Sequence, residues 1–579
     1  MRLQVLRASD ARRALEDRGF QANWKSLHQQ CPWSTVFQNV GFATTWYRVY
    51  RDVYEPIIAA GIEGDGSMTG LLLLARERKS GAVAHVGEKH AEYQTWIARP
   101  DRPGFISDAL DALKPLVGGA TLQLRYAPSL LPLDTLTSSP NWGWRTVSWL
   151  EERGIADLTK PDGISTLVES SRYRYRMRRI GALGEVSFRT VATRAELEPW
   201  LDEIIAFCDV RQGAINGAYP FHDDPLKRQL HLAMLDTPDL LHVTLLTAGR
   251  TLISSEINFL DRRTISLGLI SHSPMQGKIS PGTLHLLLLA RHAAADGFEA
   301  IDLTPGGEYK DRFASSTDPT RVVSIQFSAT DAVRAQVRRF AAEQAKTRIR
   351  EMGLEPATVK KQFVERIEHV RRSIIGARGS ANGRQASGPI AEIAVFRVAA
   401  SLQSSENKEV PSPSTSDLRI DEVGDLLLPS PSAVPLRGRR ADLRAALARF
   451  ERGAQLITRI DGGRVTNQAW VIKGPGKAHF RSTFADYEIS DKSVLVHEVI
   501  GDGNSLGEER FLDEVLTLTR ARNPKLELLV AADAEGPTSQ RLLRMGAELA
   551  ARVSSQTATT ASSEVAGVAD AATEQQPTS

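Results

Sequence analysis

The chain has 579 residues, two cysteines and a formal net charge of +3 at pH 7. That length predicts about three domains, and the near-neutral charge excludes a global nucleic-acid or membrane-surface signal, leaving basic function local. Cys31 and Cys208 stand far apart, which excludes a disulfide framework or cysteine zinc site and predicts a reducing, cytoplasmic setting.

The first ten residues lack the apolar core of a signal peptide, and no run of 18 apolar residues predicts a membrane span. Residues 1–150 read as a first α/β half. Ser9 is placed to cap an amphipathic helix reaching Gln29, and an aromatic-rich helix follows from Phe42 to Tyr50. Strands are predicted at Pro56–Ile62 and Thr69–Arg76 around the turn Gly64–Ser67, then at Val83–Gly87 and Ala91–Ile97. Pro103-Gly104 opens a helix over Phe105–Leu116, and Leu122–Tyr126 is the next strand. Tyr93 and Trp96 are candidates to line a substrate groove; packing within a half-buried strand is the structural alternative.

Residues 151–330 repeat the same order. Ser170–Arg179 is a basic helix, suited to attracting phosphates or another polyanion. Strands are predicted at Leu240–Thr247, Leu252–Leu260 and Ile265–Ser271. A glycine-containing loop follows, with Gly277, Lys278 and Ser280, then Pro281 at a first helical position. The apolar helix runs to Ala295, Asp296-Gly297 stops it, and a buried strand follows at Ala300–Leu303. Free N–H groups in the first turn, at Gly282 and Thr283, make that terminus attractive to anions. An ordinary capped helix is the plain alternative.

Three antiparallel strands, a helix from a glycine-containing loop and a returning strand resemble the core of the GNAT acyltransferases. Gly297–Lys310 sharpens this, with a strand ending near Asp302, then Gly306-Gly307-Glu308-Tyr309-Lys310. It resembles the CelD/BcsL-type acetyltransferases, a FemAB-like branch of that superfamily, and the resemblance spans roughly 30–330. Arg211–Gly217 with Pro220-Phe221 is similar to another family segment. The resemblance implies an α/β, GNAT-like fold with two tandem halves. It also implies acetyl-CoA or another acyl-CoA as co-substrate, its pyrophosphate at Gly277, Lys278, Ser280, Gly282 and Thr283. Arg211, Tyr309 and Lys310 join Tyr93 and Trp96 as candidate substrate contacts.

Acyl transfer needs a base for the nucleophile and donors for the developing oxyanion. The candidate bases are Glu256, His272, Asp302 and Glu308. His272 suits by its ordinary pKa but also reads as a structural loop histidine. Asp302 can equally cap a turn, and Lys310 can be a surface ion pair. No Gly-x-Ser-x-Gly elbow, His-Glu-x-x-His pair, Walker loop or Cys-x-x-Cys pair points to a hydrolase, a metal centre or nucleotide hydrolysis.

Residues 331–375 read as a basic helical arm broken near Glu355-Pro356. Residues 376–435 read as a flexible Ser/Pro/Gly linker with a short-strand island at Ile390–Val398. Residues 436–553 resemble a third GNAT-like domain whose phosphate loop departs from the pattern: Asp502, Glu508 and Glu509 crowd its helix start and repel a pyrophosphate, which predicts a degenerate domain. Residues 554–579 read as a disordered tail. The leading function is N- or O-acyl transfer to a small-molecule or saccharide acceptor, linked by the family to cellulose or exopolysaccharide synthesis and its machinery, with no DNA partner. Aminoacyl transfer from charged tRNA, as in FemAB-like enzymes, and a non-catalytic scaffold of polysaccharide assembly are the other readings.

Overall fold

The computed structural model describes residues 2–160, 163–164, 168, 170–306, 308–351, 392–399, 418–430, 435–480, 485–501 and 505–554. The break expected near Glu355-Pro356, most of the expected linker and the expected tail lie outside them. The chain divides into two compact units. One comprises Met1–Asp202, Asp224–His272 and Pro281–Ser373; the other comprises Glu203–Asp223, Ser273–Ser280 and Ile374–Ser579.

The first unit begins with a small antiparallel sheet of β1 (Arg2–Arg7), β2 (Tyr54–Ile62), β3 (Met68–Glu77) and β4 (Val83–His85), with β5 (Ile97–Ala98) also on β3. The β2–β3 turn holds Gly66 at φ 84°, and Asp65 accepts from the Ser67 amide at 2.9 Å. The single helix expected over Ser9–Gln29 is two, α1 (Ala8–Glu16) and α2 (Arg18–Gln30). Arg7, not Ser9, is the N-cap residue of α1, and it supplies no side-chain cap. Asp17 divides the helices because its carboxylate accepts from the Phe20 amide and caps α2. Helices α3 (Val40–Val49) and α4 (Phe105–Val117) complete this half.

The second sheet has eight strands. They are β6 (Thr121–Pro128), β7 (Thr146–Asp157), β8 (Val186–Val191), β9 (Leu241–Ala248), β10 (Thr251–Asp261), β11 (Thr264–His272), β12 (Ala300–Pro305) and β13 (Ser316–Gln326). Their order is β6-β13-β7-β12-β11-β10-β9-β8. Only β11 and β12 run parallel. A parallel pair needs a crossover, here a helix that we label after α5 (Leu133–Thr137), α6 (Ser171–Gly181), α7 (Arg194–Asn216) and α8 (Leu226–Leu235) as α9 (Pro281–Ala295). Leu284, Leu289, Ala290 and Ala293 of α9 are fully buried. Gly297 ends α9 at φ 83°, and the Phe298 amide reaches back to the Ala293 carbonyl at 2.9 Å, closing the last turn.

Strand β6 does not return beside the small sheet. It pairs with β13 and forms the outer edge of the large one. The two sheets also share packing: Phe37 and Phe259 lie 4.8 Å apart between ring centroids, within one hydrophobic cluster that includes Val323 and Ile325 of β13. α10 (Ala329–Glu351) carries the described part of the helical arm.

The second unit has a seven-stranded sheet. Its strands run in the order Leu418–Ile420, Gln455–Asp461, Arg464–Lys473, Ser493–Ile500, Glu527–Asp533, Glu392–Val398 and Glu548–Ser554. Ser493–Ile500 and Glu527–Asp533 are parallel, joined through helix Ser505–Arg522. The strand expected near Ile390–Val398 is therefore an interior strand of this sheet, between Glu527–Asp533 and the edge strand Glu548–Ser554. Its apolar residues Ala394, Phe396 and Val398 pack in the unit's core.

Candidate active site

The site is built around a parting of strands. β11 and β12 pair only at Thr264–Ala300, Ile265–Ile301 and Ser266–Asp302. Beyond those pairs β11 continues to His272 against β10, while β12 turns towards β7. The result is a wedge opening past Ser266 and Asp302. A bulge between Ile257 and Phe259 of β10 shapes its wall. Gly268 of β11 faces that bulge: a Cβ there would stand 2.4 Å from the Ile257 carbonyl oxygen. The Asn258 side chain accepts from the Gly268 amide at 3.0 Å, fixing the irregular step.

Glu256 lies one residue before the bulge, at the level of Ile270 on β11 and Thr244 on β9. It is wholly buried. Asn258 donates to its Oε2 at 3.1 Å, and its Oε1 has no hydrogen-bond partner among the described residues. Burial pushes its carboxyl up to about 7, against the opposing effects of the Asn258 hydrogen bond and the Lys310 charge. A carboxyl poised there changes protonation near neutral pH, as a general base requires.

Asp302 sits where the wedge begins. Its Oδ2 accepts from Tyr93 Oη at 2.7 Å and from Arg153 Nη1 at 2.8 Å, and its Oδ1 accepts from the Thr304 amide at 2.8 Å. Arg153 also donates to Asp318 and lies 5.0 Å from the Tyr93 ring centroid. Burial raises the Tyr93 hydroxyl well above its ordinary value, so it stays a donor. Lys310 Nζ donates to the Leu303 carbonyl at 2.6 Å and to Thr304 Oγ1 at 2.9 Å. Burial lowers its ammonium, while Glu92, Asp302 and Glu256 act in the opposite sense. Lys310 is thus bound to the end of β12, half-buried, not an exposed surface ion pair.

The first turn of α9 gathers positive charge. Arg312 Nη2 donates to Thr283 Oγ1 at 2.9 Å. Arg176 of α6 is lowered by burial first, and by the charges of Arg172 and Arg312. Arg172 and Arg312 thus stand close enough to act on Arg176 near a helix N-terminus, a crowding of positive charge that an anion would relieve. Gly282 on this turn faces His272: an added Cβ would lie 3.3 Å from the His272 ring carbon Cδ2.

The sequence candidates thus fall into groups. Glu256, Asp302, Tyr93 and Lys310 come together in the first unit, and His272, Gly282 and Thr283 meet at the start of α9. Gly277, Lys278 and Ser280 belong to the second unit, where an added Gly277 Cβ would meet Glu451 of helix Arg440–Arg452 at 2.7 Å. Lys278 is exposed, and Ser280 takes a left-handed φ of 51° before Pro281. Arg211 is half-buried on α7, in the second unit. Trp96 is buried in the core, and its carbonyl accepts from Trp33 Nε1 at 2.8 Å. The side chains of Glu308 and Tyr309 lie outside the described residues. Sequence reasoning missed Arg153, Asn258 and Arg312. Arg312 stands two residues after Lys310 and was within reach of the same motif; nothing local marks Arg153.

With this geometry in hand, comparison with known proteins gives a family for part of the chain. Residues 170–313 match the model of the acetyltransferase (GNAT) domain. The chain carries a GNAT-type acyltransferase domain, and such domains use acyl-CoA. No curated protein matches the chain. Among solved structures, the C-terminal domain of a lysylphosphatidylglycerol synthetase from Agrobacterium fabrum is 10% identical, with a TM-score of 0.36 over 55% of this chain and 94% of that one. FemX is 9% identical, with a TM-score of 0.38 over 52% and 95%. A tandem GNAT protein of clavulanic acid biosynthesis is 11% identical, with a TM-score of 0.37 over 56% and 99%. Among the described residues, no helix is long and apolar enough to cross a membrane.

Proposed function

We propose that the first unit transfers an acyl group from acyl-CoA to an amine or hydroxyl of a small-molecule or saccharide acceptor, with Glu256 as the general base. The observation that carries this reading is Glu256 itself: a wholly buried carboxyl beside the β11–β12 wedge, held near 7, with one oxygen unpartnered. Acyl-CoA supplies the acyl group as a thioester. Glu256, as its carboxylate, takes the proton of the amine or hydroxyl as that group attacks the thioester carbonyl. Lys310 stands near enough to steady the carboxylate before the transfer, and coenzyme A leaves as its thiolate when the C–S bond breaks. Tyr93 and Arg153 hold Asp302 in place at the mouth of the wedge. The donor set at α9, Thr283 with Arg312 and Arg176, fits a phosphate-bearing co-substrate.

The acid-crowded second unit supports a single donor site. Glu508 lies over Gly501, where an added Cβ would meet its Cγ at 2.1 Å, and Arg541 pairs with Glu509 and Asp513. The Tyr309-Lys310 motif supports a CelD-type kinship and, through it, a place in cellulose or exopolysaccharide synthesis in the cytoplasm. The test is release of coenzyme A thiol from acetyl-CoA with panels of amine and hydroxyl acceptors. The expected result is acceptor-dependent release that rises with pH through about 7 and falls by about 10²–10⁴-fold in Glu256→Gln. Release unchanged by that substitution overturns the assignment of the base.

A further inference from the structure

A cavity of about 760 Å³ lies in the small-sheet half of the first unit, with walls from α1, α2, α3, the start of β2 and the turn after β3. None of its lining residues comes from β10, β11, β12 or α9. It is therefore separate from the wedge. Four guanidinium groups line it: Arg12 on α1, Arg48 on α3, and Arg51 and Arg78 on the flanking turns. They come from three places in the chain, Arg48 and Arg51 being neighbours at the end of α3, and the fold brings Arg12 and Arg78 to that pair.

Their charges are poorly matched within the protein. Among the described residues, Arg12 and Arg48 have no ion-pair partner, and no ion pair joins Arg12 to Glu16, one turn further on and also in the lining. Arg51 reaches only its neighbour Asp52 at 3.7 Å, a side chain 89% exposed. Arg78 reaches Glu55 at 3.8 Å. Pairs that long and that exposed contribute little. Glu16 and Asp52 leave the lining with excess positive charge. Tyr47 and Tyr54 add aromatic wall, and Tyr47 is anchored there by donating to the Leu74 carbonyl at 2.8 Å.

We propose that this cavity binds a small organic anion carrying a phosphate monoester or diphosphate. Guanidinium groups present paired N–H donors that match phosphate oxygens. The volume lies within the range of about 300–1,000 Å³ usual for small-molecule sites, well beyond one phosphate, so an organic body accompanies the charge. Tyr47 and Tyr54 offer that body apolar contact.

The test is calorimetric titration of inorganic pyrophosphate into the full chain, in salt near 0.1 M so that long-range attraction is screened. The variants are Arg12→Gln with Arg48→Gln, Arg312→Gln at the α9 site, and Arg334→Gln with Arg338→Gln on exposed α10. The expected result is a binding step at the cavity that weakens at least about tenfold in the first pair and persists in the α10 pair and in Arg312→Gln, which removes only binding at α9. Circular dichroism checks that each variant is folded. Because both side chains are exposed, Arg12→Gln and Arg48→Gln singly serve the same purpose with smaller losses. Absence of pyrophosphate binding in the unmodified chain, binding by the first pair equal to the unmodified chain, or an equal loss in the α10 pair overturns the proposal.

Discussion

Tyr93 donates its hydroxyl to Asp302 across 2.7 Å, tying a loop of the small-sheet half to the strand where the wedge begins. Both groups are buried, and Arg153 makes the carboxylate's other side-chain contact at 2.8 Å. Removing the hydroxyl leaves a buried acceptor short of a donor. Tyr93→Phe is expected to cost about 1–3 kcal/mol of stability. Thermal denaturation of Tyr93→Phe, Asp302→Asn and the double variant checks this. The double variant should lose less than the two single losses added together; full additivity would mean the pair is not coupled.

Glu256 makes stability depend on pH in a definite sense. Burial raises its folded value to about 7 from 4.5. Between those values the folded protein holds a proton that the unfolded chain releases. This contribution is fully present below about 4.5 and is lost as pH rises through about 7. Glu256→Gln removes the dependence. It should gain on the order of 3 kcal/mol relative to the parent between pH 4.5 and pH 8, read from denaturant unfolding at both values. Parallel pH profiles for the two proteins would show that Glu256 does not titrate in this window.

Much of this site was legible in the sequence because its signals are local. Strands over 252–260 and 265–271, the helix behind Pro281 and its stop at Gly297 follow from alternation, a fixed proline φ and a left-handed glycine. Glu256, Asp302 and Lys310 stood out as polar residues in or beside apolar strands. Pairing partners were not legible. β6 has an ordinary strand pattern, and only the fold brings it to β13, about two hundred residues on. Arg153 lies between two glutamates and a glycine, and its bond to Asp302 spans 149 residues. Residue type alone points to Ser9 as a cap, although the chain turns helical one residue earlier, at Ala8.

Gly268 is required by geometry. Its Cβ would stand 2.4 Å from the Ile257 carbonyl oxygen, a backbone atom that cannot swing aside. Gly268→Ala must therefore shift β10 or β11 at the bulge, at a cost of about 1–3 kcal/mol by analogy with other overpacking changes. Urea unfolding gives the cost. A variant as stable as the parent would mean that the two strands are free to move apart there.

The place where acyl-CoA binds decides the donor site most directly, and calorimetric titration of acetyl-CoA measures it. Three proteins suffice: the unmodified chain, Arg312→Glu beside Thr283, and Arg544→Glu on an exposed side chain of the second unit. Arg312→Glu puts a carboxylate where the α9 turn offers donors to phosphate. It should weaken binding by about 1.5–3 kcal/mol, roughly 10- to 150-fold. Arg544→Glu should bind as the unmodified chain does. No binding by the unmodified chain, or unchanged binding in Arg312→Glu together with loss in Arg544→Glu, would contradict a donor site in the first unit.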